Sequence, residues 1–495
     1  MARYAIVVDR RSDWKWNIEE IDVLTANDYL VNKERPTRRP SRIINLCRFY
    51  TYLTAGYYCS LLAEARGEVP MPTVADILDL SKRSLYAFAL PDLNRLLEST
   101  QKRLAEPPLG DFELYIFFGI ADDRRFNRFA AEVFDLFRYP LLSVQIRKGK
   151  AWQIRSIKPM GLHQVPDSYA DFFESSLRAY TRLTKRRRTS RKPSALYDLA
   201  ILYNPNEGMS PSNEGALKRF IQAGEALRVD VELLQARDYH RISEYDALFL
   251  RETTALNHHT FRFARKAEAE GIPVIDDSKS ILRCTNKVYL AELLAKNKLP
   301  APKTVILNRH KFDNSKIAEA EAVLGYPMVL KIPDGSFSRG MYKANNRAEA
   351  VEAATKLFEH SRLILAQEFM PTDYDWRIGI LNGKPIFACQ YLMARKHWQI
   401  VNHKADGKAV VGGFHTYPVS EAPAQVVEIA TKAASLIGNS LYGVDLKQNE
   451  RGIFVIEVND NPNIDNGVED KVLKGELYTT IIQEFIRRID ISRTA

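Results

Sequence analysis

The sequence predicts a mixed α/β protein built from three successive segments. Three observations carry that expectation. Residues 199–275 alternate apolar strand runs with helical stretches, the pattern of a parallel sheet. Near the C-terminus, Tyr442-Gly443-Val444-Asp445-Leu446 and Ile453-Phe454-Val455-Ile456-Glu457-Val458-Asn459 read as two strands joined by the turn Glu450-Arg451-Gly452. A chain of 495 residues also exceeds one ordinary domain and suggests roughly three.

The first segment opens with a strand over residues 4–8. A long helical stretch rich in Tyr, Leu and Ala is expected over 41–65. A strand at 113–118, a helix at 124–137 and a hairpin of 142–147 with 152–157 around Lys148-Gly149-Lys150 complete it. The second segment runs strand 199–203, helix 213–227, strands 230–234 and 247–250, helix 260–270 and strand 273–275. Its first turn, Asn204-Pro205-Asn206-Glu207-Gly208, lies at a strand's carboxyl end, where such sheets usually bind ligands. The third segment, from about Asp276, holds almost every chemical signal.

Composition narrows the function classes. Hydrophobic content of 45% is ample for packed cores. No apolar run approaches the roughly 20 residues that span a bilayer, so no membrane role is expected. The N-terminus turns charged after Val8, unlike a secretory signal. Cys47, Cys59, Cys284 and Cys389 lack metal-ligand spacing and read as reduced thiols of a cytoplasmic protein. The net charge is +10, and residues 182–192 hold seven bases and no acid. That run reads as a solvated linker, or as a contact for RNA, a ribosome or an acidic partner.

Alternation along a strand puts Glu457 and Asn459 on one face, and a paired neighbour brings Asp445 to the same point. Three oxygen ligands there suit Mg²⁺, which fills its shell with waters and nucleotide phosphates. Lys331 sits inside the apolar run Met328-Val329-Leu330-Lys331-Ile332, so it either points out of the sheet or serves a ligand. Pro333-Asp334-Gly335-Ser336-Phe337-Ser338-Arg339-Gly340 follows directly. Its small residues let backbone N–H groups close over phosphate oxygens, and a plain hairpin turn is the other reading. No Gly-Lys-Ser/Thr follows, so the loop is not a Walker A.

Lys287 opens a helix and by itself reads as a solvated cation. Residues 363–370 form a strand whose exit, at Glu368 and Phe369, has backbone that can pair with adenine. An ordinary buried strand is the plainer reading. Asp375 and Arg377 alternate with Trp376 and Ile378 and so face one side, where a surface ion pair would suffice. Arg395 has the guanidinium geometry to clamp a carboxylate or a transferring phosphoryl group. His397 and His403 read as loop residues rather than catalysts.

The order of these residues resembles the ATP-grasp fold, most closely the RimK-like carboxylate–amine ligases, over residues 196–490. Residues 1–181 resemble the N-terminal domain attached to a subset of RimK-like proteins. The resemblance implies an α/β (α+β grasp) architecture: an N-terminal α/β domain (1–181), a basic linker (182–195), a parallel pre-grasp domain (196–285) and both ATP-grasp lobes (286–495). It implies that Lys287 and Lys331 hold the ATP phosphates under a lid that includes Gly335, Ser336 and Gly340. Glu368 and Phe369 would cradle the base, with Asp375 and Arg377 also at the nucleotide. Arg395 would touch the γ-phosphate and the acylphosphate and share the catalytic work with Lys331. Asp445, Glu457 and Asn459 would bind two Mg²⁺ ions, with Mn²⁺ as the alternative.

Two stretches depart from the family pattern. The stretch between Glu368 and Asp375 is short, which moves the ribose contact to Asp373. Asp460-Asn461-Pro462-Asn463-Ile464 replaces small residues and a Pro-Gly at the segment bordering the acceptor, so substrate identity is not carried over. The expected function is an ATP-dependent carboxylate–amine ligase working through an acylphosphate, adding an amino acid such as glutamate to a small molecule, peptide or protein. A phosphoryl-transferring kinase, or an RNA- or ribosome-docking module, is the alternative. The family also suggests a homo-oligomer.

Overall fold

The computed structural model describes residues 4–18, 21–31, 42–82, 86, 90–108, 110–149, 151–182, 195–334, 340–394, 401–403 and 409–494. The chain divides into two compact units, Met1–Thr189 with Asp490–Ala495, and Ser190–Ile489.

The first unit holds two four-stranded sheets. Strands β1 (Tyr4–Val8), β2 (Asp22–Thr25), β3 (Arg42–Asn45) and β4 (Val69–Met71) form a parallel sheet in the order β2-β1-β3-β4. Strands β5 (Phe112–Phe117), β6 (Ile120–Ala121), β7 (Leu141–Lys148) and β8 (Trp152–Pro159) form an antiparallel sheet in the order β6-β5-β7-β8. The expected hairpin is β7 with β8.

The long helix expected over 41–65 is not there. Residues 42–45 are strand β3, and the helix is confined to Ala55–Ala65. The reason is tertiary. Ile43 and Ile44 are β-branched and fully buried, and they pair in parallel register with Ala5 and Ile6.

The second unit begins with the parallel sheet that the alternation predicts. Strands β9 (Tyr197–Leu202), β10 (Val229–Leu234), β11 (Ala247–Leu250) and β12 (Val274–Ile275) run in the order β10-β9-β11-β12. Their runs are apolar because both faces are covered: Leu199 and Ile201 pack with Phe220, while Ala200 and Leu202 pack with Phe263.

Two antiparallel sheets follow. The first is β13 (Thr304–Asn308), β14 (Met328–Lys331), β15 (Met341–Ala344) and β16 (Leu363–Glu368), in the order β13-β16-β14-β15. The second takes β17 (Tyr374–Leu381) and β18 (Lys384–Leu392). A two-stranded pair, β19 (Val401–His403) with β20 (Ala409–Val411), intervenes before β21 (Phe414–Tyr417), β22 (Leu441–Asn449) and β23 (Gly452–Asp460). Its order is β21-β18-β17-β22-β23. The helix Ala424–Ile437 covers one face of this sheet through Val426, Ala430 and Ala433. The opposite sides of the same strands carry the polar residues described next. No described helix is long and apolar enough to cross a membrane.

Candidate active site

Strands β22 and β23 pair with Asp445 opposite Glu457 and Gly443 opposite Asn459. Asn459 donates its amide to Asp445 Oδ2 at 3.0 Å and to the Gly443 carbonyl at 3.2 Å. Position 443 has room only for glycine, because a Cβ there would lie 2.6 Å from Pro462 Cβ. The residues just after the Glu-x-Asn pair therefore fold back over β22.

On the other side of β22, Arg377 of β17 is in register with Asp445. Its Nε and Nη2 donate to the two carboxylate oxygens at 2.7 and 2.8 Å. This is a two-pronged guanidinium–carboxylate pair in a shielded setting. Burial opposes the charge on Arg377, but Asp445 outweighs it and holds the guanidinium well above its ordinary pKa.

Lys287 supplies the second cation. It is the first residue of the helix Lys287–Lys296, whose N-cap is Asn286. The Asn286 side chain accepts from the Val288 and Tyr289 N–H groups at 3.0 and 3.1 Å. The Lys287 N–H donates to the Pro333 carbonyl at 2.9 Å, which ties the helix to the chain leaving β14. Lys287 Nζ sits 2.9 Å from Glu457 Oε1. Burial raises the Glu457 pKa, yet Lys287, Lys331 and Arg377 together hold it below the usual range.

Lys331 is buried, at 5% exposure, in the middle of its sheet. Its ammonium donates to Gln367 Oε1 at 3.0 Å, and Gln367 donates on to Thr304 Oγ1 at 2.9 Å. Burial first, then repulsion from Lys287, pull its pKa down to about 8. A buried lysine held, among the described residues, by one neutral amide is poised for an anion.

The remaining expected residues are less uniform. The Glu368 carboxylate accepts from the Lys303 N–H at 3.0 Å and from Arg451 at 3.1 Å. The N–H groups of Glu368 and Phe369 donate to the Lys303 and Pro327 carbonyls. Lys343 Nζ lies 3.9 Å above the Phe369 ring, a cation held at its face. Asp375 is paired with Lys447 at 2.6 Å and Thr372 at 3.1 Å, and Asp373 accepts from the Met393 N–H through its carbonyl. Gly340 has φ of +65° and leads into β15. Gly335, Ser336, Arg395, His397 and most of the basic linker lie outside the described residues.

The structure thus brings Lys287, Lys331, Arg377, Asp445, Glu457 and Asn459 into one network. Glu368, Phe369 and Asp375 hold positions in separate local contacts. Two partners were missed. Lys447 lies two residues after Asp445, and the alternation that joined Glu457 to Asn459 pointed to it equally. Arg451 reaches Glu368 across 83 residues of chain, and nothing local signals it.

Asp445, Glu457 and Asn459 offer carboxylate and amide oxygens, with no sulfur or imidazole. Hard oxygen donors of this kind fit Mg²⁺ or Mn²⁺.

A family model for the RimK-like ATP-grasp domain matches residues 284–486, and one for the RimK-like ATP-grasp N-terminal domain matches residues 26–176. The chain belongs to the RimK-like ATP-grasp family. Among relatives of this RimK-like chain, the α-aminoadipate–LysW ligase LysX of Saccharolobus solfataricus is 28% identical over 51% of the chain and 90% of the relative. A probable α-L-glutamate ligase of Parasynechococcus marenigrum is 24% identical over 68% of the chain and 70% of the relative. A RimK domain ATP-grasp protein from Sphaerobacter thermophilus superposes with a TM-score of 0.43, at 17% identity, over 58% of this chain and 99% of that one. The RimK-like chain is an ATP-grasp ligase of the carboxylate–amine class.

Proposed function

We propose that this RimK-like protein activates a carboxylate with ATP as an acylphosphate and joins it to an amine, with an amino acid such as glutamate as one partner. The observation that carries the reading is the convergence of Asp445, Glu457 and Asn459 with Lys287 and Lys331. Acidic and amide oxygens beside buried ammonium groups suit a metal–nucleotide substrate better than either feature alone.

The residue roles follow from charge. A carboxylate oxygen attacks the γ-phosphorus of ATP, the bond to the β-phosphate oxygen breaks, and ADP leaves. Both reactants are anions, so the barrier is largely repulsion and misalignment. Lys331 meets the phosphates from inside the sheet, where its low-dielectric setting strengthens the attraction. Lys287, paired with Glu457 at 2.9 Å, would also face the phosphates. Asp445, Glu457 and Asn459 would hold Mg²⁺, which when bound neutralises phosphate charge. Arg377 keeps the Asp445 carboxylate oriented. The lid that includes Gly335, Ser336 and Gly340, together with Arg395, would cover the phosphates and shield the acylphosphate from water. The amine nitrogen then attacks the carbonyl carbon, loses a proton, and phosphate leaves with the bonding pair. The adenine would sit at Glu368 and Phe369.

The test is phosphate release from Mg-ATP against amino acids and short peptides, singly and in pairs. A ligase requires both co-substrates; release with a carboxylate alone would mark a kinase. Glu457→Ala should reduce turnover at least about a hundredfold, as expected when an electrostatic anchor of the reacting phosphate is removed. Retained turnover with normal Mg²⁺ dependence would remove Glu457 from the metal assignment.

A further inference from the structure

At the carboxyl end of the parallel sheet, beside the chain that follows Asn459, three other ligand-type side chains meet. Glu252 follows β11 and is buried, at 1% exposure. His258 is the N-cap of the helix His259–Ala269, and His259 is its first residue. His259 Nε2 lies 2.5 Å from Glu252 Oε2, and the two imidazole rings are 3.9 Å apart between centroids. One donor atom from each of the three residues lies within 4.8 Å of the others.

The Thr260 hydroxyl lies 3.1 Å from His258 Nδ1 and 3.4 Å from the Thr253 carbonyl. In the tautomer that carries its proton on Nδ1, His258 donates to that hydroxyl, keeps the Nε2 lone pair for a metal and makes the outer hydrogen bond that metal-binding histidines usually make. The Glu207 carboxylate, held by the Thr253 N–H and hydroxyl, adds negative charge beside the pair.

We propose that Glu252, His258 and His259 bind a divalent transition-metal ion of the Zn²⁺ type. Two imidazoles and one carboxylate suit Zn²⁺ or Co²⁺ and are a poor set for Mg²⁺. Three protein ligands leave a position open for water or substrate. The site adjoins the candidate ligase centre: Thr254 donates to Asp460 at 2.6 Å, and Asn461 donates to the Glu252 carbonyl. Those two residues directly follow Asn459.

The test uses the full-length protein and needs no ligase substrate. Chelator-treated protein is titrated calorimetrically with Zn²⁺ in millimolar Mg²⁺, and Co²⁺ is followed by its visible absorption. One equivalent should bind without displacement by Mg²⁺. His258→Ala, His259→Ala and the near-isosteric Glu252→Gln should each weaken it at least roughly tenfold, at an unchanged melting temperature for Glu252→Gln. Glu457→Gln should leave Zn²⁺ binding intact. The absence of a one-equivalent site, or Zn²⁺ affinity unchanged in Glu252→Gln and His259→Ala, would overturn the proposal. The ligase reading would survive either result.

Discussion

Lys331 shows the conflict between stability and function at one side chain. Among the described residues its buried ammonium has a single amide acceptor, and its pKa falls to about 8 from an ordinary 10.5. The unfolded chain therefore binds that proton more tightly than the folded one. The resulting destabilisation is fully present below about pH 8 and disappears as pH rises toward 10.5. Its size is about 3 kcal/mol at neutral pH. Lys331→Met, of similar length and without the charge, should therefore raise the melting temperature at pH 7. The gain should shrink between pH 8 and 10.5. The same variant should lose most of the thermal shift that Mg-ATP gives the parent. A destabilised Lys331→Met protein, or one with a full nucleotide shift, would refute the role given to this lysine. Arg251 is the opposite case. It too is fully buried at the end of a strand, but its guanidinium is spent on Ser212, Asn461 and the Pro211 and Pro462 carbonyls. A buried arginine so satisfied fixes the backbone and has little left for a substrate carboxylate.

Between residues and the whole chain, short elements aim the cations. The helix Lys287–Lys296 is positioned by the Asn286 cap and by the Lys287 N–H bond to Pro333. Asn286→Ala should destabilise the protein by about 1 kcal/mol and weaken nucleotide binding, because Lys287 begins at the freed turn. Asn286→Ser should restore both, since serine caps nearly as well. Melting curves with and without Mg-ATP read the two effects; a loss of stability with unchanged nucleotide affinity would separate the cap from Lys287. Elements like this were legible where local pattern matched final burial. The apolar run around Lys331 and the Asp and Glu-x-Asn strands announced β14, β22 and β23, and alternation gave the shared face of Asp445, Glu457 and Asn459. Legibility failed where partners are distant. Arg42-Ile43-Ile44-Asn45 became a strand through pairing with β1, which no helical periodicity in residues 41–65 reveals. Arg377 read as a nucleotide residue, yet its nearest anion is Asp445 on another strand, 68 residues away. The Glu252, His258 and His259 grouping spans a loop and a helix start, and as a string it is only a pair of adjacent histidines.

For the molecule as a whole, the division into two units bears on where the proposed ligase chemistry resides. Every described residue of the candidate active site falls in Ser190–Ile489. The parallel sheet within that unit is no detachable appendage. Arg251 and Ser212 from its loops bond Asn461, Pro462 and Ile464, and Phe220 and Phe249 share one core with Tyr478 and Phe485. A fragment beginning at Ser190 and running to the C-terminus should therefore fold and bind Mg-ATP with affinity close to that of the full chain. A fragment beginning at Asn286 should not, because it leaves Asn461 without Arg251 and strips the apolar partners of Phe485. Such losses weigh heavily against the roughly 5–15 kcal/mol that holds a typical domain together. Nucleotide affinity by calorimetry and the thermal shift given by Mg-ATP decide it for both fragments. Should the longer fragment fail to bind while the full chain binds, residues 1–189 would have to contribute to the nucleotide site, and the ligase centre could no longer be assigned to the second unit alone.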